Sequence, residues 1–290
     1  MPTAYTHQLI AEDSKEVISD EVRLADYYFG AQGADSLFFF RFIKFAKHNL
    51  GNMLHTDDIY GTFTTMLDFC RTHPEALSYV LGYITHCASD AVFHPYVYFV
   101  AHNRGVTKLL RSICHTRMET DLDSYFLDKL GISVEKYGLP YGVHDINMNV
   151  ITELYVRVFE AKGVSATRKA VRHAIKNYFR YVRGTTDRRF RKGGFYGFLG
   201  KYSLRFRHLA ALFRRRATEI DRSFLNEEHR EWHYREDESR KSTDSVDELY
   251  EKAVDKCRGM LRLFLDAYNG NTELPREEFN THLLKGINVD

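Results

Sequence analysis

The sequence predicts an all-α protein. Only five prolines interrupt its 290 residues, apolar residues recur at i, i+3 and i+4, and the alternating runs that are typical of strands are few. This spacing predicts helices at residues 3–19, 35–48, 57–71, 75–102, 105–129, 144–162, 165–183, 198–217 and 245–268.

Residues that favour helix ends support several of these predictions. Asp57 and Asp58 stand at the start of the third helix and can cap it, because an aspartate side chain there accepts hydrogen bonds from the first turn. Pro74 stands at the start of the fourth helix, where its missing N–H costs nothing. Ser165 can cap the seventh helix, and the glycines that follow helical patterns suit the left-handed backbone that often ends a helix: Gly131, Gly163 and Gly184.

Two segments break the helical pattern. Residues 184–200, GTTDRRFRKGGFYGFLG, mix glycines with arginines and aromatic residues, and we expect a loop or lid there. Residues 226–245 are too charged to be buried, and we expect them to form a polar strap on the surface. At 290 residues the chain can bury one substantial core, although its length would also permit two smaller domains, and we expect a single domain over residues 1–290.

Composition narrows the class of protein. With 44% hydrophobic and 14% aromatic residues, the chain is a folded protein rather than a disordered one. The net charge of +2 gives the whole molecule little attraction for nucleic acid or membrane. The first residues lack the features of a secretory signal and no apolar stretch is long enough to span a membrane, so we expect a cytosolic protein with reduced cysteines.

One local stretch departs from this charge balance. Residues 168–216 contain sixteen lysines and arginines and a single acid, Asp187. Such a stretch raises the local potential for phosphate groups, anionic membrane or nucleic acid, although solvated helix faces are the common outcome of charge runs. Phe195, Tyr196, Phe198 and Leu199 lie within it, and we expect them to pack on the core rather than enter a lipid interface.

The histidines of the fourth predicted helix form a pattern that is typical of metal sites. In GYITHCASDAVFHP, His86, Asp90 and His94 follow one another at intervals of four residues. Each interval advances about 40° around a helix, so the three side chains share one face. Pro95 disfavours ordinary helical angles at His94 and could re-aim its imidazole.

The next predicted helix repeats the spacing with His115 and Glu119 in ICHTRMETDLD. Any one of these five residues alone would more often be a core histidine or an ion-pair partner. Five donors in register on two helices favour a metal site, because buried carboxylates are costly unless a cation neutralises them. Imidazole nitrogen and carboxylate oxygen suit Zn²⁺, and five donors exceed the need of one tetrahedral ion, which suggests more than one metal.

Three further segments resemble the zinc-dependent phospholipase C family: YTH at 5–7, GAQGADSLFF at 30–39 and LGNMLH at 50–55. The loop holds Ala34 where the family has proline, and the family places the histidine that corresponds to His94 slightly further along. The C-terminal text at 224–234 and 245–256 is weakly similar. Matched residue by residue, the family's metal ligands fall on His7, Asp35, His55, His86, Asp90, His94, His115 and Glu119.

The resemblance implies a helical bundle with a cluster of zinc ions bridged by Asp90. It implies one ion at Asp35, His55 and His86, another at His94, His115 and Glu119, and a third at His7 with Asp90. A mature N-terminal amine completes the third site in secreted members, so here we expect two zinc ions, with a third only if His7 holds one.

The activity that the resemblance implies is hydrolysis of a phospholipid or small phosphodiester, in which a zinc-bound hydroxide attacks phosphorus in line. Asp35 is expected to act as a zinc ligand or as the general base. One alternative is a zinc-dependent single-strand nuclease of the same fold. Another is a non-catalytic module in which metals staple the helices and residues 168–216 bind anionic membrane or nucleic acid. A di-iron protein is disfavoured, because such proteins use Glu-x-x-His pairs.

Overall fold

The computed structural model describes residues 4–19, 21–39, 50–134 and 137–289, and these are mostly helical. The prediction of an all-α protein is therefore confirmed. The α-helices are α1 (Ala4–Ser14), α2 (Leu24–Gly30), α3 (Leu50–Thr56), α4 (Ile59–Thr72), α5 (Leu77–Arg104), α6 (Lys108–Lys129), α7 (Met148–Ala161), α8 (Arg168–Thr185), α9 (Arg191–Leu199), α10 (Leu204–Ala211), α11 (Val246–Tyr268) and α12 (Arg276–Phe279).

Short 3-10 helices and strands complete the described elements. The 3-10 helices are Lys15–Val17, Gly33–Phe39, Pro74–Ala76, Ala217–Glu219 and Arg222–Phe224. Four two-residue strands form two antiparallel pairs: β1 (Trp232–His233) with β2 (Lys241–Ser242), and β3 (Thr281–His282) with β4 (Ile287–Asn288). Among the described helices, none contains an apolar stretch of the length that a membrane-spanning segment needs.

Most of the predicted helix ends are confirmed, but Ser165 and Gly184 do not bound the seventh predicted helix, because α8 runs from Arg168 to Thr185. Asp58 caps α4 by accepting the backbone N–H of Gly61 at 2.9 Å. Gly131 and Gly163 follow α6 and α7 with a φ of +69°, a conformation in which other residues are strained. The predicted helix at 35–48 lies largely outside the described residues, and its first part is the 3-10 helix Gly33–Phe39.

The prediction of a loop at residues 184–200 is wrong, because α9 occupies most of that segment. Here tertiary contacts outweigh the poor helix propensity of glycine. A Cβ atom on Gly193 would lie 3.1 Å from the Cβ of Phe213, and one on Gly200 would lie 3.0 Å from the Cα of Arg207. Glycine thus lets α9 pack closely on the segment that follows it, and the predicted helix at 198–217 shortens to α10.

The expectation that the aromatic residues of α9 pack on the core is only half right. The Tyr196 ring stacks on those of Phe206 and Phe213, with ring centroids 6.3 Å and 5.7 Å apart. Phe195 and Phe198 are instead more than half exposed. The helix has more aromatic side chains than its single packed face can cover, so the other two face solvent.

The chain folds into two compact units, each made of three segments. Unit 1 comprises Met1–Thr6, Phe93–Leu139 and Tyr181–Tyr250, and unit 2 comprises His7–Val92, Pro140–Arg180 and Glu251–Asp290. The prediction of a single domain over residues 1–290 stays a prediction.

The interior of unit 2 depends on a close approach between α2 and α5. A Cβ atom on Gly82 would lie 1.9 Å from the carbonyl oxygen of Tyr27, and one on Gly30 would lie 2.9 Å from the Cα of Gly82. Any other residue at these positions would push the helices apart. The hydroxyls of Tyr79 and Tyr155 share a buried hydrogen bond of 2.5 Å, which ties α5 to α7.

In unit 1 the polar segment 226–245 is held to the interior by a buried tryptophan. Trp232 is 2% exposed, and its indole N–H donates to the carbonyl oxygen of Asp244 at 3.1 Å. Its ring lies 5.2 Å from that of Tyr96, whose hydroxyl donates to the carbonyl of Phe224. Burying a ring of this size stabilises the segment by several kcal/mol, on the order of 3–5. The cysteines are all unpaired, in agreement with the prediction.

Candidate metal centres

Five of the eight predicted ligands lie together inside unit 2, and we call them the five-residue cluster. They come from four parts of the chain: His7 on α1, Asp35 in the 3-10 helix Gly33–Phe39, His55 on α3, and His86 and Asp90 on α5. Each is between 0% and 6% exposed. Five polar side chains at this depth require partners, because unpaired polar groups are costly to bury.

The spacing of the donor atoms fits a metal ion. The Nε2 atoms of His55 and His86 are 3.4 Å apart, and each lies close to Oδ2 of Asp90, at 3.3 Å and 3.5 Å respectively. Oδ1 of Asp35 is 3.3 Å from the same His55 nitrogen. Donors bound tetrahedrally to zinc at about 2.0–2.1 Å stand roughly 3.3 Å from one another. His55, His86 and Asp90 therefore have the mutual spacing of zinc ligands, and Asp35 approaches the same His55 nitrogen.

The two oxygens of Asp90 face different histidines. Oδ2 faces His55 and His86, whereas Oδ1 lies 3.2 Å from Nε2 of His7. The His7 and His86 rings are near neighbours, with centroids 4.7 Å apart. A carboxylate in this position could bridge two ions, the second of them beside His7.

Outer hydrogen bonds orient two of the imidazoles. Nδ1 of His55 donates to the carbonyl oxygen of Gly51 at 2.6 Å. Nδ1 of His7 is 2.7 Å from the hydroxyl oxygen of Ser89, whose own proton is donated to the carbonyl of His86. The His7 ring must then donate from Nδ1, and Nε2 is the nitrogen that faces Asp90. This outer support is typical of metal-binding histidines.

Oδ2 of Asp35 and Nδ1 of His86 are buried atoms of the cluster that have no hydrogen-bond partner among the described residues. They lie 3.9 Å apart. A buried polar atom without a partner costs about 1–3 kcal/mol, and a cation bound to the cluster would offset the cost of the carboxylate. The donor set, its spacing and these two atoms together fit a divalent metal.

The pKa values of two histidines in the cluster also fit a bound cation. Burial acts to lower the pKa of His55, but hydrogen bonds and charge from Asp35 and Asp90 outweigh it and raise that pKa to about 10. Burial lowers the pKa of His86 to about 4, despite the same two carboxylates, and the neighbouring His7 and His55 add to that effect. Without a metal ion, the two carboxylates therefore keep the His55 imidazole protonated. A bound divalent cation would replace the positive charge of that proton.

Glycine is required where the loop approaches α5. Gly33 has a φ of +49°, and a Cβ atom there would lie 2.1 Å from Cδ2 of the His86 ring. Only glycine allows this backbone to pass the imidazole and bring Asp35, two residues later, within reach of His86 and His55. The GAQGAD text predicted the loop, but it did not reveal this contact.

The other three predicted ligands lie together in unit 1, and we call them the three-residue cluster. Oε1 of Glu119 is 2.9 Å from Nε2 of His115 and 3.7 Å from Nε2 of His94. The two imidazole rings are nearly parallel, with centroids 5.6 Å apart, and Tyr98 contacts both. The His115 side chain is 13% exposed. Three donors of this kind could also hold a metal ion.

Charge stabilises the ionised form of Glu119. Burial acts to raise its pKa, but the charge of His115 and hydrogen bonds from both histidines outweigh burial and lower that pKa. Nδ1 of His115 is buried with no hydrogen-bond partner in the described chain. Helix α5 continues through Pro95 to Arg104, so His94 stays on a helix and still approaches Glu119.

All eight predicted ligands therefore belong to groups that could hold a metal ion, five in one unit and three in the other. A single centre that unites them stays a prediction. Sequence reasoning missed Ser89 and the carbonyl of Gly51, which orient His7 and His55. Their only signal is their helical spacing from neighbouring ligands. No other histidine of the described residues joins these groups, and His48 lies outside those residues.

The fold and the donor sets define a class: a mostly helical protein with buried His, Asp and Glu clusters that could hold metal ions. Comparison with family models, with curated proteins and with solved structures gave no match. The likeness to zinc-dependent phospholipases C thus depends on the motifs quoted above.

Proposed function

We propose that the chain is a zinc-dependent phosphoric diester hydrolase of the phospholipase C type, acting on a phospholipid or a small phosphodiester. The observation that carries the proposal is the five-residue cluster, whose donors stand 3.2–3.5 Å apart around Asp90. Two-metal sites built from imidazole and carboxylate are suited to displacement at phosphorus.

Asp35, His55, His86 and Asp90 would hold one ion, and Asp90 with His7 would hold a second. The three-residue cluster would hold a further ion within unit 1. When bound, such ions lower the pKa of water and neutralise charge that develops on phosphoryl oxygens. The donors are nitrogen and oxygen only, which suits zinc among the divalent metals that bind imidazole.

The chain's own residues have separate tasks in this proposal. Asp35 uses one oxygen toward His55, and its second oxygen is free to accept a proton from the attacking water, so it can serve as ligand and as base. The hydrogen bonds at Nδ1 of His7 and His55 hold Nε2 toward the cluster. Deep burial excludes bulk water and strengthens each of these electrostatic contacts.

A second candidate is a metal that only stabilises the fold. The burial of all five residues favours it, because structural metal sites are closed whereas catalytic sites keep one position open to water and substrate. The two candidates differ in what metal removal does: loss of folding alone, or loss of hydrolysis in a chain that stays folded.

The test is metal analysis of the purified chain combined with hydrolysis of bis-p-nitrophenyl phosphate, a short-chain phosphatidylcholine and single-stranded DNA. We expect at least two zinc ions per chain and metal-dependent hydrolysis of one of the first two substrates. Asp26→Asn is the matched control for Asp90→Asn, because Asp26 is equally buried in unit 2 but belongs to neither cluster. Activity on DNA alone would favour the nuclease, and metal without any activity would favour the structural role.

A further inference from the structure

Helices α9 and α10 present a group of large apolar side chains to solvent. Six residues between 38% and 78% exposed lie on or beside the two helices: Phe195, Phe198, Tyr202, Leu204, Phe206 and Leu209. Single exposed apolar residues are common on proteins, but a group of this size marks an interaction site. We call residues 188–209 the α9–α10 surface.

The same surface is cationic. Residues 188–218 contain no aspartate or glutamate. Seven lysines and arginines of the surface are exposed: Arg188, Arg189, Arg191, Lys192, Lys201, Arg205 and Arg207. None of the seven forms an ion pair with an acid in the described part of the chain, although acids elsewhere pair with many other cations, as Asp221 does with Arg104. These charges are therefore available to an external partner.

Side-chain and backbone packing within unit 1 holds helices α9 and α10 in place beneath this surface. Tyr196 stacks on Phe206 and Phe213, and Gly200 lets the two helices meet at the backbone of Arg207. Phe195 and Phe198 are on the same helix as Tyr196 but remain exposed. Their exposure is thus a property of a packed helix pair rather than of an unfolded segment.

We propose that the α9–α10 surface docks on an anionic lipid bilayer. Cations near such a surface are attracted by its negative potential, and phenylalanine, tyrosine and leucine enter the boundary between headgroups and acyl chains. A second copy of this chain fits poorly, because two acid-free surfaces would repel. Nucleic acid would use the cations and rings but leave Leu204 and Leu209 without a role. This proposal uses none of the metal ligands and stands apart from the proposed hydrolysis.

The test is co-sedimentation of the full chain with vesicles of phosphatidylcholine alone or with about a third phosphatidylserine. We expect at least tenfold stronger binding to the anionic vesicles, weakened by salt. The double variant Phe195→Ser with Phe198→Ser should lose most of this binding, at least tenfold, and Lys201→Gln with Arg205→Gln should lose severalfold. All four side chains are exposed, so these variants should fold.

Two matched controls separate the surface from its surroundings. Val106→Ser with Leu130→Ser removes exposed apolar side chains elsewhere in unit 1, and Lys169→Gln with Lys176→Gln removes exposed charges from α8. Both should bind anionic vesicles as the unaltered chain does. The proposal is overturned by equal binding to neutral vesicles, by equal losses in the controls, by displacement with a single-stranded oligonucleotide, or by self-association that the Phe195 and Phe198 changes abolish.

Discussion

The two clusters use the same residue types in different ways. The five-residue cluster draws on four separate parts of the chain and is almost wholly buried, whereas the three-residue cluster comes from α5 and α6 and keeps His115 partly exposed. In the first, one carboxylate meets three histidines. In the second, one carboxylate meets two. A set of four donors closes a tetrahedral ion, and a set of three leaves a fourth position for water.

This difference indicates that burial and the number of donors together determine how tightly a site holds its metal and how accessible the metal is to solvent. The five-residue cluster is built for tight holding, since Asp90 alone connects His7, His55 and His86. The three-residue cluster has fewer contacts to lose and easier access to solvent. Single substitutions should therefore affect the two clusters unequally, and separately.

The largest effect should come from Asp90→Asn. An amide in place of this carboxylate removes the charge shared by His7, His55 and His86, so we expect loss of metal from the five-residue cluster. Hydrolysis should fall roughly 10³-fold, since metal assistance is worth several kcal/mol. Metal analysis and rates on bis-p-nitrophenyl phosphate measure both changes. Asp26→Asn should retain metal and rate, and an equal loss in that control would show a general defect of folding.

A smaller and more local effect is expected from Glu119→Gln. The carboxylate of Glu119 is the only acid of the three-residue cluster, so its neutralisation should release the metal held in unit 1 while the five-residue cluster keeps its own. Metal analysis should show about one ion fewer per chain than the unaltered protein holds. Asp123→Asn, another buried carboxylate of unit 1, is the control. Loss of all metal from Glu119→Gln would contradict two independent clusters.

Loss of a hydrogen bond that orients a ligand should reduce metal affinity less than loss of the ligand itself. Ser89→Ala removes the hydroxyl that receives the Nδ1 proton of His7, and we expect metal affinity beside His7 to fall about 10–100-fold. Competition with a chelator measures this affinity. Ser14→Ala deletes an equally buried hydroxyl, which donates to the carbonyl of Ile10. This control should leave the metal affinity unchanged. Equal chelator sensitivity in both variants would show that Ser89 does not orient His7 for metal binding.

The sequence predicted what depends on local spacing and missed what depends on packing. The intervals from His86 to Asp90 and from His115 to Glu119 follow from helix geometry, and each pair belongs to a group that could hold a metal ion. Helix α9 was missed because Gly193 and Gly200 read as breaks, whereas they serve close contacts with residues that follow. The contact of Gly33 with His86 joins positions more than fifty residues apart, and no local sequence pattern predicts it.

The smallest expected effect concerns Asp26, a buried carboxylate with no metal to share its charge. Burial raises its pKa, although the backbone N–H of Asn147 and the charge of Arg23 act to lower it. A pKa above the unfolded value of about 3.9 means that ionisation opposes folding, so the unaltered chain should lose stability as pH rises through that range. Asp26→Asn keeps the hydrogen bond to Asn147 without the charge. We expect its Tm to exceed that of the unaltered chain slightly at neutral pH, with the gap closing near pH 4. A gap that instead widens on acidification would mean that the carboxylate stabilises the fold as an anion.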